Sequence, residues 1–269
     1  MAEILNIDNL VINRVVRGTL FDKSTQEVIV SVDQIMDASL ECSGEQVFVT
    51  DALGQNIAAF DRSKTATFSA SNAILNFGLM AAQLGSDKEV ADENNKQTVP
   101  AFDLAEVTVS GTGVATAELT HVPASALKYV YSTHTDKSKN KKYTLEGIAE
   151  DDDDATFTIA GKVITLPSGD FAAGDLVAVW YDRKTERAVS IKNTTTNFAK
   201  GGRFVLEVLV CDVCDTNLEY YAYIIFNNAK MDNSLTVEFS NETRQEFAIN
   251  AMQDYCSKSN ELFTIVVAD

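Results

Sequence analysis

Apolar and polar residues alternate along most of the last 80 residues of the chain. In the stretch RFVLEVLVCD, one face carries Phe204, Leu206, Val208 and Val210. The stretch LEYYAYIIF follows after a turn-like segment at 214–217, and SLTVEFS and QEFAINAMQD alternate in the same way. A period of two residues is typical of half-buried strands. This region is therefore predicted to be an antiparallel meander.

Two more strands are predicted in the first third of the chain. TQEVIVSV alternates with Val28, Val30 and Val32 on one face, and KTATFSA is a second candidate strand. Between them, the segment from Cys42 to Phe60 contains the turn signals Ser43-Gly44 and Leu53-Gly54. We expect this segment to be a protruding loop or an irregular hairpin.

One helix is predicted after KTATFSA. Ser71 or Asn72 can cap it, and Gly85 can end it in the left-handed conformation. Its apolar stripe would consist of Ile74, Phe77, Ala81 and Leu84. The stretch at 86–98 has no apolar periodicity and is expected to be a mobile surface connection.

A separate set of short strand patterns occupies residues 106–187. These patterns are EVTVSGTGVATAELT, KYVYS, TFTIAGKVITLP and LVAVWYD, with turns expected at Gly111, Gly113 and Gly161. We predict that 106–187 is an inserted β-sandwich-like domain, which leaves 1–105 and 188–269 as the two parts of a surrounding domain. The fold class is mainly β with one flanking α-helix.

The charge balance limits the classes of partner. The chain has 39 Asp and Glu against 22 Lys and Arg, a net charge of −17, which disfavours stable binding to DNA phosphates or anionic lipid. No apolar run approaches the roughly 18 residues of a membrane span, and MAEILNIDNL lacks the features of a secretory signal. We expect a soluble protein that stays in the cytoplasm where it is made.

Candidate sites for metal or redox chemistry are weak. Asp151–Asp154 lack the spacing of a calcium loop and are interpreted as a solvated loop. Cys211 and Cys214 have C-x-x-C spacing, but they end a strand and have no second pair, so we interpret them as structural cysteines. We predict no cofactor and no metal.

Candidate catalytic residues are equally sparse. The only histidines are His121 and His134, and no G-x-S-x-G motif is present, so a nucleophilic triad is disfavoured. The aromatic cluster Tyr220, Tyr221, Tyr223 and Phe226 is interpreted as core or as a subunit interface rather than a stacking surface for ligands. We predict that the protein is not an enzyme.

The order of these elements resembles that of the tail tube (major tail) proteins of long-tailed bacteriophages and related contractile particles. The resemblance lies in residues 25–85 and 188–269. It implies a tail-tube-like β-sandwich or barrel that assembles into hexameric rings, stacked as a tube through which genomic DNA passes. It also implies a place in the virion tail after assembly in the host cytoplasm, with tape measure, tail terminator and baseplate or sheath proteins as partners. The domain at 106–187 would lie on the tube exterior.

Two segments correspond to those with which subunits of this family reach their neighbours. They are the N-terminal arm and the long loop between early strands. Their apolar residues, which we predict to be inter-subunit contacts, are Ile4, Leu5, Ile7 and Leu10 in the arm and Val47, Phe48, Val49 and Leu53 in the loop.

Two other classes of function remain open from the sequence. The chain could be a virion decoration or adhesin subunit that binds host surface glycans through the inserted domain. It could also be an enzyme that acts on a glycan with paired carboxylates, although no recognisable motif places such a pair.

Overall fold

The computed structural model describes residues 9–133, 139–148, 155–214 and 216–268. The fold is mainly β, as predicted. Two compact units make up the chain. The sheet unit consists of Met1–Glu89 and Ser190–Asp269, and the barrel unit consists of Val90–Val189.

The described residues form eighteen strands and one helix. In chain order they are β1 (Leu10–Phe21), β2 (Val28–Val32), β3 (Ile35–Thr50), β4 (Asn56–Asn72), α1 (Phe77–Leu84), β5 (Glu89–Val90), β6 (Gln97–Val109), β7 (Ala115–Glu118), β8 (Tyr129–Thr133), β9 (Lys139–Leu145), β10 (Thr156–Ala160), β11 (Val163–Leu166), β12 (Leu176–Thr185), β13 (Val189–Ser190), β14 (Gly201–Asp212), β15 (Glu219–Met231), β16 (Thr236–Glu238), β17 (Arg244–Ala251) and β18 (Thr264–Ala268).

The sheet unit contains one nine-stranded sheet. Its main path is β2-β1-β14-β15-β17-β4-β3, while β16 pairs with β17 and β18 pairs with β15. The meander predicted for the last 80 residues is present, because β14 pairs with β15, β15 with β17 and β16 with β17, all antiparallel. The strands β5 and β13 form a separate two-stranded sheet.

One face of the large sheet carries the core of this unit. The even-numbered residues of β14 that the sequence placed on one face are all buried there. Phe68 lies at the centre, with its ring centroid 5.6 Å from that of Phe204 and 6.1 Å from that of Phe247. The cluster makes the N- and C-terminal parts of the unit a single hydrophobic core.

The helix α1 ends as predicted and begins later than predicted. Gly85 ends it with φ 64°, and its backbone N–H points back to Ala81 and Ala82. The N-cap is Asn76, whose side chain accepts hydrogen bonds from Gly78 and Leu79 at 2.8 and 3.0 Å. Ser71 and Asn72, the predicted caps, are the last residues of β4.

The predicted helical stripe is correct in part. Ala81 is buried, but Ile74 and Phe77 are half-exposed, and the buried side of the helix also includes Leu79, Ala82 and Gln83. Gln83 and Gln245 are joined by a 3.0 Å hydrogen bond, and both side chains are buried. A polar residue outside the predicted stripe therefore holds this helix to the sheet through hydrogen bonds.

The barrel unit is a closed seven-stranded barrel. The strand order is β10-β11-β7-β6-β12-β8-β9, and the parallel pairing of β10 with β9 closes it. Its core lies inside the barrel and includes Val107, Val130, Phe157, Ile164 and Val179. The turns expected at Gly111–Gly113 and at Gly161 are present, with Gly113 and Gly161 at φ 82° and 61°.

Five strands were not predicted from the sequence: β1, β5, β9, β13 and β18. In β1, register shifts between Ile12 and Arg14 and between Val15 and Arg17 interrupt the alternation of apolar and polar residues. The five residues of β18 are exposed or half-buried and give only a short signal.

The predicted edges of the inserted domain differ from the strand ends. Residue 106 falls inside β6. The part of β6 that precedes this residue was placed outside the inserted domain, but it pairs with β12 from Gln97 onward. The stretch expected to be a mobile connection contains defined contacts, such as the Asp92 carboxylate that accepts hydrogen bonds from the backbone of Asn94 and Asn95.

Candidate inter-subunit surface

The segment from Cys42 to Phe60 is the irregular hairpin that the sequence allowed as one of two possibilities. Strands β3 and β4 pair from Ile35–Asn72 at the base to Thr50–Asn56 at the tip, with three register shifts. Ser43-Gly44 does not form a turn, because both residues pair with β4 and Gly44 precedes a register shift. The turn is at the second signal, where Gly54 has φ 82°.

The distal half of this hairpin is a free two-stranded ribbon. Strand β17 pairs with β4 only from Thr67 onward. Within the described residues, 42–66 therefore pair only with each other, and we name this segment the hairpin arm. At about 3.3 Å per residue, a ribbon of this length spans roughly 35 Å from base to tip. An isolated ribbon of two strands is marginally stable in water, so the arm is expected to gain stability from something that covers it.

The tip of the arm has a defined geometry. The Asp51 carboxylate accepts hydrogen bonds from the backbone N–H groups of Leu53 and Gln55 at 2.9 and 2.8 Å. This Asx-type turn presents Leu53 at the apex, where it is 88% exposed. Such an ordered tip can present the same apolar contact in every copy of the chain.

One face of the arm is entirely apolar near the tip. Val47 lies opposite Phe60, and Val49 lies opposite Ala58, so these four side chains share a face. Val49 and Phe60 are 42% and 59% exposed. Four adjacent apolar side chains with this exposure are a feature of surfaces that another protein buries.

The opposite face of the arm is mixed. The Gln46 amide donates a 2.7 Å hydrogen bond to the Asp61 carboxylate, while Phe48 and Ile57 remain half-exposed or more. Ile57 and Phe60 were not named as contact residues from the sequence. Apolar residues on both faces of a ribbon do not alternate, which removes the period-two signal by which a strand is recognised.

The sequence matches the YomU/Tube protein family over residues 10–265. The chain belongs to this family. The match confirms the resemblance to phage tail tube proteins, and it extends over the barrel unit as well as the sheet unit. No curated protein matches the chain. A tube family is a family of structural proteins, so a surface that joins subunits is the relevant kind of site.

The structure places the predicted contact residues of this tube protein in different environments. Val47, Phe48, Val49 and Leu53 come together in the distal part of the arm. Leu10 opens β1, pairs with Asp212 and packs against the core of the sheet unit. Ile4, Leu5 and Ile7 lie outside the described residues.

The second face of the large sheet carries polar side chains beside apolar ones such as Phe21, Val205 and Ile225. Arg17 Nη2 lies 2.7 Å from Glu207 Oε2, and this hydrogen-bonded carboxylate raises the pKa of Arg17. Further along the sheet, Thr67 donates to Asn250, and the Ser39 and Ser69 hydroxyls are 3.0 Å apart.

The aromatic cluster of β15 divides between the two faces of the sheet. Phe226 is fully buried in the core, as one of the two interpretations required. Tyr221 and Tyr223 stand on the other face with their ring centroids 6.4 Å apart, and Tyr221 is 41% exposed. The strand β15 thus contributes side chains to the core on one face of the sheet and to the second face of the sheet.

The remaining sites considered from the sequence are the cysteines and the acidic and histidine residues. Cys211 is buried at the end of β14, whereas Cys42, Cys214 and Cys256 are exposed and unbridged. Across the described ranges, no three His, Cys, Asp or Glu side chains are grouped so that they could hold a metal ion. Asp151–Asp154 and His134 lie outside those ranges. Among the residues described, no helix has the length and apolar character needed to cross a membrane.

Proposed function

We propose that the chain is the tail tube subunit of a long-tailed phage and assembles as hexameric rings that stack into a tube. The single observation that carries this proposal is the exposed apolar face of the hairpin arm, formed by Val47, Val49, Ala58 and Phe60. Membership of a tube family supplies the kind of assembly in which such an arm has a use. In this proposal, the neighbouring subunit covers the apolar face of the arm.

The free edges of the large sheet support the same assembly. Within the described residues, β2 and β3 are the outermost strands of the main path. Unpaired backbone N–H and C=O groups on an edge strand are a template for pairing with another chain. A ring of copies would satisfy these groups and would cover the arm at the same time.

Passage of DNA without binding is the second part of the proposal. The sheet unit contains 23 of the 39 acidic residues and 12 of the 22 basic ones, so its net charge is −11 of the total −17. Six copies in a ring would multiply that charge. A channel with this balance would repel DNA phosphates and let the duplex move through it.

The remaining elements of the proposal follow from the resemblance. The N-terminal residues Ile4, Leu5 and Ile7 would provide a second contact between subunits. The tube would meet tape measure, tail terminator and baseplate or sheath proteins at its ends or along its surface. Assembly would take place in the host cytoplasm before the tube becomes part of the virion tail.

Replacing the apolar face of the arm tests the proposal. The double variant Val47→Asp with Val49→Asp should abolish rings and tubes in negative-stain electron microscopy, because charges would have to be buried at the contact. Its circular dichroism spectrum should match that of the parent, since both side chains are at least partly exposed in the single subunit.

A matched control separates the position of the charge from its amount. Thr98→Asp with Thr158→Asp adds the same two charges at exposed positions of the barrel unit and should leave tubes intact. Tubes of normal length from the arm variant would refute the proposed joint. Folded parent protein that forms neither rings nor tubes at any concentration would refute the tube itself.

A further inference from the structure

A second group of apolar side chains is exposed on the outer wall of the barrel. Phe102 in β6 and Trp180 in β12 lie directly opposite each other, with ring centroids 4.9 Å apart. Tyr131 in β8 meets the same indole edge-on at 5.9 Å. Phe102 and Trp180 are 53% and 57% exposed. Three neighbouring strands therefore contribute one aromatic platform.

The platform is not required by the core of the barrel. The inward residues Val177, Val179 and Tyr181 of β12 complete the interior, and neither Phe102 nor Trp180 is part of that cluster. The next outward positions on the same strand are Asp182 and Lys184, which are the polar residues expected on a solvated wall. Aromatic residues at this place thus need an explanation other than folding.

A groove of about 550 Å³ runs beside the platform. The segment from Ser125 to Tyr129 lines it together with Pro100, Ala101 and two rings of the platform, Tyr131 and Trp180. Lys128 and Asp182 are the charged residues of its lining. Lys142 Nζ lies 5.1 Å from the centroid of the Tyr129 ring, a cation–π contact to one of the rings that line the groove.

We propose that this groove is a binding site for a neutral glycan. Aromatic walls with a few polar groups, in a cleft of several hundred Å³, are typical of sites for small ligands. A sugar ring has an apolar C–H face that can stack on the indole of Trp180, and hydroxyl groups that can bond to the Asp182 carboxylate and the Lys128 ammonium. The inference holds whether or not the chain forms a tube.

The charge of the barrel unit selects a neutral ligand over a polyanion. The unit has 16 acidic and 10 basic residues, a net charge of −6. The residues that line the groove include one acid and one base, which do not add up to a site for phosphate or sulfate groups. A polyanionic polymer would be repelled, whereas an uncharged polyhydroxyl chain would not.

The chain reports on this site directly, because Trp180 is its only tryptophan. Titration of the full chain with neutral tetrasaccharides of glucose, galactose and N-acetylglucosamine should shift the emission of Trp180 to shorter wavelength for at least one of them. The sulfated counterpart of that sugar should give at least about ten-fold weaker binding. Tyr129→Ala keeps the reporter and should weaken binding about ten-fold, which is the usual range for loss of one stacking contact. Phe102→Ala also keeps the reporter, and it should weaken binding less, because Phe102 packs on Trp180 and does not line the groove.

Calorimetry with Trp180→Ala gives an independent measure, and Trp180→Phe should restore part of the affinity while the barrel remains folded by circular dichroism. An unchanged emission with all neutral sugars would overturn the proposal. Equal or tighter binding of the sulfated sugars would overturn it as well. Concentration-dependent dimers that Trp180→Ala abolishes would show that a second copy, and not a glycan, covers the platform.

Discussion

The two units of the chain differ in their edge strands. The barrel unit closes its seven strands on themselves, so the strands on the described path have no unpaired edge. The sheet unit leaves β2 and β3 at the ends of its path and extends the β3–β4 hairpin into water. A closed barrel can be complete as a single copy, whereas the ends of an open sheet present unpaired backbone groups with which another chain can pair.

The exposed apolar residues of the two units differ in kind as well as in place. On the arm they are mostly aliphatic and they lie along a two-stranded ribbon. On the barrel they are aromatic and lie beside a groove whose lining includes one acid and one base. The first pattern suits burial against another protein surface, and the second suits a small ligand.

Deleting the arm and the barrel unit, each in its own variant, should give the largest difference in tube formation. Replacement of residues 46–61 by a two-residue turn removes the distal part of the arm, which pairs with no other strand among the described residues. We expect a folded subunit that forms no tubes in electron microscopy, because the contact between copies is gone.

The matched deletion removes the barrel unit. The chain leaves the sheet unit at Glu89 and returns at Ser190, and Lys192 Nζ is 2.7 Å from Glu89 Oε1, so a short Gly/Ser linker can join the two ends. This variant should keep its sheet and still form tubes. An unfolded product would show that the sheet unit depends on the barrel unit for folding, and that the two units are not independent.

Sequence patterns predicted the fold where a strand has one buried face and one solvated face. The alternation in β14 and β17 was sufficient, and Gly85 identified the end of the helix by its left-handed conformation. Patterns were insufficient where β-bulges or side-chain hydrogen bonds, rather than hydrophobic burial, determine the structure. Bulges hide β1, and a buried glutamine occupies the inner side of α1 because its hydrogen bonds, rather than its hydrophobicity, fix the helix.

The apolar face of the arm was predicted in outline and not in detail, and its role as a contact stays a prediction. Val47, Val49 and Leu53 were named from the resemblance to tube subunits, and because exposed apolar residues beside turn signals are what a protein contact would bury. Phe60 was missed because only the register of the hairpin shows that it lies opposite Val47. The aromatic platform depends on the pairing of Phe102 with Trp180, which are 78 positions apart in the sequence, and no local pattern contains that distance.

Core truncations should distinguish the two units by their unfolding transitions. Phe68→Ala in the sheet unit and Phe157→Ala in the barrel unit each remove a buried ring and should cost about 3–5 kcal/mol. Differential scanning calorimetry should show each variant lowering a different transition. If both variants lower one common transition by the same amount, the two units unfold together.

The buried glutamines of the sheet unit should give the next effect in size. Gln245→Leu preserves most of the volume but leaves the Asn76 N–H and the Gln83 carbonyl without their present partner, at a cost of about 2–4 kcal/mol. Urea denaturation should show the loss in the sheet unit alone. Gln253→Leu is the matched control, because that side chain is exposed and its loss should cost less than about 0.5 kcal/mol. Equal losses for the two variants would contradict the structural role of the pair.

The smallest effect is expected from a carboxylate of the barrel unit. Burial works to raise the pKa of Asp103, but hydrogen bonds from Tyr181 and Thr120 outweigh burial and hold the pKa below its ordinary value of 3.8. A folded-state pKa below the unfolded one means that the ionised carboxylate stabilises the fold above pH 3.8, and that this stabilisation is lost as the pH falls through the folded-state pKa.

Asp103→Asn should therefore destabilise the barrel unit by less than about 2 kcal/mol at pH 7, because the site is only partly buried and water screens it. The difference from the parent should shrink when unfolding is followed down to pH 3. Asp22→Asn is the counterpart in the sheet unit, where a hydrogen bond from Ser24 lowers the pKa of Asp22 to about 2. Its effect should appear only in the sheet-unit transition. A difference for Asp103→Asn that stays constant from pH 7 to pH 3 would mean that ionisation of this carboxylate contributes nothing to the stability of the barrel.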